Sequence, residues 1–380
     1  MLRSSDNADV AIVGAGIIGL AIAFELAGRG AEVCVFDRGE PARAASWAAA
    51  GMLAPRSEHM PDSHTQRLCE ESLALYPGFV ADVRACGAID PQLRLDGIVH
   101  AAYDAGELAK LEDRAAQLRK SGCAADMLTR NQTVLQEPAL GRGVLGALLV
   151  HREGQIDNRR LGRALLEACR SRAVQIQTGI PSLSIEFDAR RVLGIRTALG
   201  YRAAGAVINA AGAWAAGLAG VPPQCVPPVR AVKGQMLCLE IPAGYIRRPV
   251  WVPGAYLVPR ADGRLLIGAT VEEATDVHVT PRGLRDLLQA ATAALPALAD
   301  FPITETWAGL RPGTPDDRPF IGPTARDGYF LATGHYRNGI LLAPKTANMV
   351  AAQIAGASLG EYAAFLVDRA ENESRRFVAK

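Results

Sequence analysis

The hydrophobic pattern opens with a short apolar run, Val10 to Val13. It halts at GAGIIG and resumes as LAIAFELAGRG, which is apolar on nearly every face and closed by glycines. This predicts a strand, a tight turn and a buried helix. AEVCVFD is then continuously apolar up to its acid, the pattern of a strand covered on both faces in a parallel sheet. Together these make a βαβ unit. A strand-like run leading into a glycine turn returns at GAVINAAGAW. It returns again at DGYFLATGHYRNGILLAPKTANMVAAQIAG, where a second helix start, polar and glycine-bearing, can face a ligand.

The intervening segments have a different character. From GAIDPQLRLDGIVHAAYD to about Val150 the pattern is strand and turn with one charged helix, GELAKLEDRAAQLRKSG. Asp157 is placed to cap a helix over DNRRLGRALLEACRSR, followed by a strand VQIQTG and a hairpin LSIEFDARRVLGIRTALG. RAVKGQMLCLEI, GAYLVPRADGRLLIGATV and ITETWAGLRPG read as strands, and PRGLRDLLQAATAALPAL reads as a helix. The fold class expected is α/β, a Rossmann-type nucleotide-binding domain with an inserted α+β domain. The nucleotide domain takes residues 1–90, 151–230 and 310–367, the second lobe takes 91–150 and 231–309, and 368–380 form a solvated tail. There is no internal repeat.

The first glycine turn carries the chemistry. Gly14 permits a tight turn, Gly16 lets a pyrophosphate approach the backbone, and Gly19 allows close helix-to-strand packing. The helix start then faces the phosphates. Asp37, about 20 residues on, is positioned to accept from ribose hydroxyls, which disfavours a 2′-phosphate. NAD and FAD both use such a unit, so the fingerprint leaves the cofactor open.

Bulk properties narrow the class. A chain of 380 residues, 49% hydrophobic, can bury a full core in two domains. Net charge is +2 with the signs interspersed, which excludes the footprint of a nucleic-acid binder and favours a small-molecule partner. Seven cysteines with no CxxC pair, mostly in apolar contexts, read as buried thiols of a reducing compartment. Neither a membrane-spanning run nor a signal-peptide core is visible, so a cytoplasmic location is expected. The six histidines lack metal spacing, and His59 and His64 fall in a polar stretch read as loop. No metal is assigned.

ASWAAAGML (Ala45–Leu53), GAYLVPR, WAGLRPGTPDDRPFIG and GHYRNGILLAP together resemble the D-amino-acid oxidase superfamily, and within it the glycine oxidases of thiamine biosynthesis. By composition, ASWAAAGML is a small-residue core helix; the resemblance makes it a flavin-lining segment. What the resemblance implies is a two-lobed fold, non-covalent FAD and a homotetramer. The last cysteine, Cys238, precedes every C-terminal motif, which also favours non-covalent binding. Ile17 and Ile18 then belong to the pyrophosphate turn, and Asp37 and Arg38 flank the adenosine ribose. Ala45, Ser46, Ala50, Gly51 and Met52 line the flavin, while Ser182 and Gly212 lie on the cofactor side of later turns. The main chain of His335, Tyr336, Arg337, Asn338, Gly339, Ile340 and Leu341 runs beside the pyrimidine end of the ring.

The resemblance gives Arg311 the substrate carboxylate, which a planar guanidinium matches bidentately. The turn-like GLRPG, stiffened by Pro312, would preorganise it. Tyr256 donates its hydroxyl to the same carboxylate, and Arg337 adds a second positive charge. The activity implied is oxidative deamination of glycine by hydride transfer to flavin, with dioxygen as acceptor and glyoxylate, ammonia and hydrogen peroxide as products. No general base is obligatory. Gly254 and Val271 stand where bulkier residues can occur, so sarcosine, N-alkyl glycines and small D-amino acids are alternative substrates. Pro55–Leu68, polar and turn-rich, reads as either a lid or a surface loop. Two other readings stay open: a flavin dehydrogenase using another electron acceptor, and a non-catalytic flavin-binding subunit.

Overall fold

The computed structural model describes residues 7–369 apart from 59, 61 and 142. The apolar run at the start of the chain is β1 (Asn7–Val13), the central strand of a parallel array. β2 (Val33–Phe36) and then β8 (Gln175–Gln177) lie on one side of it, β11 (Gly200–Asn209) and β18 (Tyr329–Thr333) on the other. β17 (Phe320–Pro323) closes one edge antiparallel to β18, and the hairpin β9 (Leu183–Phe187) and β10 (Val192–Thr197) pairs onto the start of β11. β2, β18 and the carboxyl ends of β1 and β11 are buried because helices cover them, whereas the edge strand β8 is not. α1 (Ile17–Gly28) is buried along nearly all its length, packed between α6 (Asn158–Ser171) and α8 (Gly339–Ile354). From β1 the chain crosses to β2 on one side and reaches β11 on the other only much later. The carboxyl ends of β1 and β11 therefore form the switch point at which such sheets bind ligands.

The second sheet has the order β16 (Ile303–Gly313), β12 (Arg230–Glu240), β15 (Arg264–Gly268), β14 (Ala255–Pro259), β13 (Val250–Val252), β4 (Ile98–Ala102), β6 (Gly146–Val150), β5 (Ala125–Thr129). Its pairs are antiparallel except β13 with β4. α7 (Pro281–Ala294) packs Leu287 and Ala291 against Leu237, Leu257 and Ile267 of this sheet. α4 (Ala105–Lys120) covers Leu148 and Val150 with Ala115 and Leu118. A ribbon of β3 (Met52–Leu53) and β7 (Gly154–Gln155), preceded by α2 (Ala45–Ala48), lies between the two sheets in sequence.

Several expectations are corrected. α3 (Ser63–Ala85) takes in His64 and the second half of the stretch read as loop, with Asp62 capping it by accepting from Thr65 N at 2.7 Å. Its apolar stripe of Leu68, Cys69, Tyr76, Val80 and Val83 is buried, but a polar first turn hides the period at the start. His59 lies outside the described residues. α5 (Arg130–Gln136), capped by a Thr129–Gln132 box, is too short to show a period in sequence. Arg311 sits in strand β16 opposite Val232, not in a turn, and β16 runs through the expected boundary at 309/310. Arg369, assigned to the solvated tail, is buried against Asp316 and over the Phe320 ring; the tail from 370 lies outside the described residues. Cys34, Cys69, Cys169, Cys225 and Cys238 are buried thiols, whereas Cys86 and Cys123 are half-buried. Among the described residues no helix is long and apolar enough to cross a membrane, and no cluster could hold a metal ion.

Candidate active site

The glycine turn is built by close approaches. Gly14 has φ +107°, and a Cβ there would fall 2.4 Å from the carbonyl oxygen of Ala210 at the end of β11. A Cβ on Gly19 would lie 1.9 Å from the Gly14 oxygen, so the helix presses directly on the turn. Gly16 meets nothing nearer than Ser46 Oγ at 3.4 Å and borders an open cavity. Ser46 Oγ accepts from Ile17 N at 2.9 Å. Asp37 closes the same turn: Oδ2 accepts from Ala15 N at 2.6 Å and Oδ1 from Gly39 N at 2.8 Å. Each carboxylate oxygen retains a second lone pair.

The cavity, about 810 Å³, is shared by this turn and the second sheet. All the expected cofactor-side residues border it except Gly19, Asn338 and Leu341. Gly19 lies beneath the turn, Asn338 stands at the start of α8 with its side-chain amide toward Met60 Sδ, and Leu341 is buried with its carbonyl accepting from Ser72 Oγ at 2.6 Å. Tyr256, Arg311 and Arg337 border the same cavity. Arg38 stacks over Trp214 with its guanidinium carbon 3.8 Å from the ring centroid.

The α2–β3 segment is held by its carbonyls. Ser46 O and Trp47 O accept from Asn158 Nδ2 at 2.8 and 3.1 Å, Ala48 O from Trp307 Nε1 at 3.0 Å, Ala50 O from Arg260 Nη2 at 2.7 Å, and Gly51 O from Ile156 N at 2.9 Å. Asn158, Trp307 and Arg260 thus have roles that sequence reasoning missed, although GAYLVPR and WAGLRPG contain two of them. β16 also presses on this segment, since a Cβ on Gly309 would lie 2.4 Å from Ala48 Cβ.

The polar groups of the second sheet rest on glycines. Arg311 lies over Gly234 of the adjacent strand, and its Nη1 donates to Lys233 O at 3.2 Å and Thr270 O at 3.1 Å. Tyr256 lies over its cross-strand partner Gly268, where a Cβ would fall 2.7 Å from the hydroxyl oxygen. Burial raises the Tyr256 phenol above its ordinary range, with Arg311 opposing; the hydroxyl stays protonated and able to donate. Trp251 packs edge-on to Tyr256, ring centroids 5.6 Å apart, and borders the cavity.

The GHYRNG turn meets this group from the first sheet. Tyr336 has φ +47°, an uncommon conformation for a bulky residue that persists where surroundings enforce it. Here Tyr336 N donates to Pro312 O at 3.0 Å, tying the turn to β16 next to Arg311. His335 is buried, with Nε2 3.0 Å from Thr346 Oγ1, and burial pulls its imidazole down to about 3, so it is neutral near pH 7. Glu58 completes the arrangement and was not anticipated: its Oε1 lies 3.7 Å from Arg337 Nη1 and its residue borders the cavity. Burial raises the Glu58 carboxyl, while Arg337 and Arg311 oppose that shift. A single acid in a polar stretch gives no sequence signal.

A model of the family described as FAD dependent oxidoreductase matches residues 9–353. The chain belongs to that family. Among curated relatives, the bifunctional protein ThiO/ThiG of Synechocystis sp. is 38% identical over 352 residues, covering 90% of this chain and 51% of that protein. The chain therefore spans about half the length of the bifunctional relatives it matches. The glycine oxidase of Geobacillus kaustophilus is 36% identical over 347 residues, covering 90% of this chain and 92% of that one. The crystal structure of glycine oxidase from Geobacillus kaustophilus superposes with a TM-score of 0.89 at 35% identity, covering 95% of this chain and 98% of the other. The residues that line the cavity fit FAD. Gly16 opens the turn toward the cavity, α1 carries no acid in its first turn to repel phosphate, and the volume is in the range of roughly 300–1,000 Å³ usual for ligand sites.

Proposed function

We propose that this flavoenzyme oxidises glycine. Glycine, water and dioxygen give glyoxylate, ammonia and hydrogen peroxide; sarcosine, N-alkyl glycines and small D-amino acids are the alternative substrates. The observation that carries the reading is the placement of Arg311 and Tyr256, both laid over cross-strand glycines, on the cavity that the glycine turn opens.

In this reading the first sheet forms the FAD domain and the second the substrate domain. Gly14, Gly16, Ile17 and Ile18 take the pyrophosphate, Asp37, Arg38, Ser182 and Gly212 the adenosine side, and Ala45 to Met52 with His335 to Ile340 the flavin, held without a covalent bond. When bound, FAD supplies the two-electron acceptor for the substrate α-carbon and dioxygen restores its oxidised form. Arg311 receives the substrate carboxylate with the edge of its guanidinium that Nη1 leaves unused, and Tyr256 donates to the same group. Carboxylate anchoring at two points fixes the α-carbon and so raises the rate by orientation. Arg337 and Glu58, paired across the pocket, balance charge around a zwitterion. Gly254 and the exposed Val271 border the cavity and leave room for an N-substituent. A homotetramer is part of this reading, as the resemblance implied, and the free cysteines suit a cytoplasmic location.

The test is an anaerobic glycine titration followed by admission of air. Loss of the oxidised flavin absorption, then its rapid return with peroxide, is the expected result. Loss without return would make the protein a dehydrogenase, and a flavin indifferent to glycine and to sarcosine would sink the substrate assignment.

A further inference from the structure

The stretch that leads to Glu58 is gripped on both edges of its backbone. Glu153, in the turn between β6 and β7, is 2% exposed, and its carboxylate accepts from Arg56 N and from Ser57 N, the latter at 3.1 Å to each oxygen. Arg114 of α4 takes the other edge, its Nη2 donating to Arg56 O at 2.8 Å and Ser57 O at 2.7 Å. Two side chains, one from the β6–β7 turn and one from α4, therefore satisfy the amides and carbonyls of one dipeptide. Glu58 follows immediately, its own amide donating to Ala54 O at 3.0 Å, and its carboxylate faces Arg337.

A turn between β3 and α3 has no strand ladder to satisfy its backbone, and a buried amide left without a partner is destabilising. The clamp removes that cost and leaves the peptide one position. Glu58 inherits it. The separation of Glu58 from Arg337 decides whether Arg337 is held by that carboxylate or turns to the carboxylate of the substrate. We propose that Glu153 and Arg114 are positioning residues that fix Glu58 against Arg337 and so set the affinity for the amino-acid substrate. The proposal rests on the glycine-oxidising reading of the same pocket.

The experiment uses FAD-loaded protein carrying Glu153→Ala, Glu153→Gln, Glu58→Gln and the pair Glu153→Ala with Glu58→Gln. It reads amide exchange over residues 54–60 together with KM and kcat for glycine. Glu153→Ala is expected to speed exchange at Arg56 and Ser57 at least tenfold and to shift KM fivefold or more, with kcat within twofold. Glu153→Gln, which keeps one acceptor oxygen, restores part of both. In the Glu58→Gln background the KM effect of Glu153→Ala is expected to vanish, because residues acting through one another are not additive. Unchanged exchange, an unchanged KM, or the same KM shift in both backgrounds overturns the proposal. If Glu153→Ala does not fold, Arg114→Met probes the carbonyl edge by the same readouts. A wild-type protein inert to glycine removes the substrate reading, and the exchange data still decide whether the clamp holds the peptide.

Discussion

The guanidinium of Arg311 lies so close to Gly234 that a Cβ at that position would fall 2.3 Å from Nη2, 2.4 Å from Nη1 and 2.5 Å from Cζ. A strand readily accepts alanine, so the glycine serves the arginine and not the backbone. Gly234→Ala is expected to raise the KM for glycine about tenfold or more, equivalent to roughly 1.4 kcal/mol, with flavin content unchanged. Steady-state kinetics alongside the flavin-to-protein absorbance ratio checks both halves.

Arg311→Ala removes the carboxylate partner itself. Loss of about 2 to 5 kcal/mol in substrate binding is expected if the pair is desolvated, while FAD stays bound. Arg311→Lys keeps a cation but loses the planar fork, so it should recover only a fraction of that loss. Kinetics of the two variants side by side decide whether fork geometry or charge dominates; equal values for lysine and arginine would discard the bidentate assignment.

In the glycine turn, Gly19→Ala places a methyl group 1.9 Å from a backbone oxygen, where no side chain can yield. Overpacking costs about 1–3 kcal/mol when neighbours can move, and here the helix start must shift. Reduced FAD retention on dialysis and a lower melting temperature are expected. Asp37→Ala, by removing the acceptor of Ala15 N, should weaken FAD retention with a smaller effect on the apoprotein.

Stability should also report on Glu153. Burial pushes its carboxyl up from 4.5 to about 7, against the opposing amides of Ser57 and Arg56 and the nearby Arg114. The folded chain then binds the proton more tightly than the unfolded one, so stability falls as pH rises from about 4.5 to about 7 and stays low above. The full effect is about 3 kcal/mol as an order of magnitude. Glu153→Gln should flatten this portion of the pH profile. Melting temperatures of both proteins across pH 5 to 8 test it, and parallel profiles would assign the titration elsewhere.

Periodicity made the centre of the first sheet legible because the strand ends that meet the glycine turns are continuously apolar and each glycine break is abrupt: β1, α1 and β2 follow directly from Val10 to Asp37. Asp157 was legible as a cap because capping is local, and its carboxylate does accept from Arg159 N and Arg160 N. The start of α3 was not legible, since its first turn is polar and its buried face is matched by α8, far along the chain. Arg311 could be singled out by its motif. Its placement in a ladder could not, because Pro312 and two glycines mimic a turn locally while the pairing partner, Val232, is distant in sequence. Glu58, Glu153 and Arg114 show the same limit more sharply, for each owes its role to a neighbour that only the fold supplies.

β16 touches both halves of the pocket at positions two apart: Gly309 rests on Ala48, and Arg311 reaches the cavity. Since side chains alternate along a strand, a slip of one residue against β12 would turn Arg311 to the far face and bring a side chain onto Ala48. One deletion between Trp307 and Arg311 would thus disable cofactor seating and substrate capture together. Among descendants of this chain, that strand can change its letters far more freely than its length.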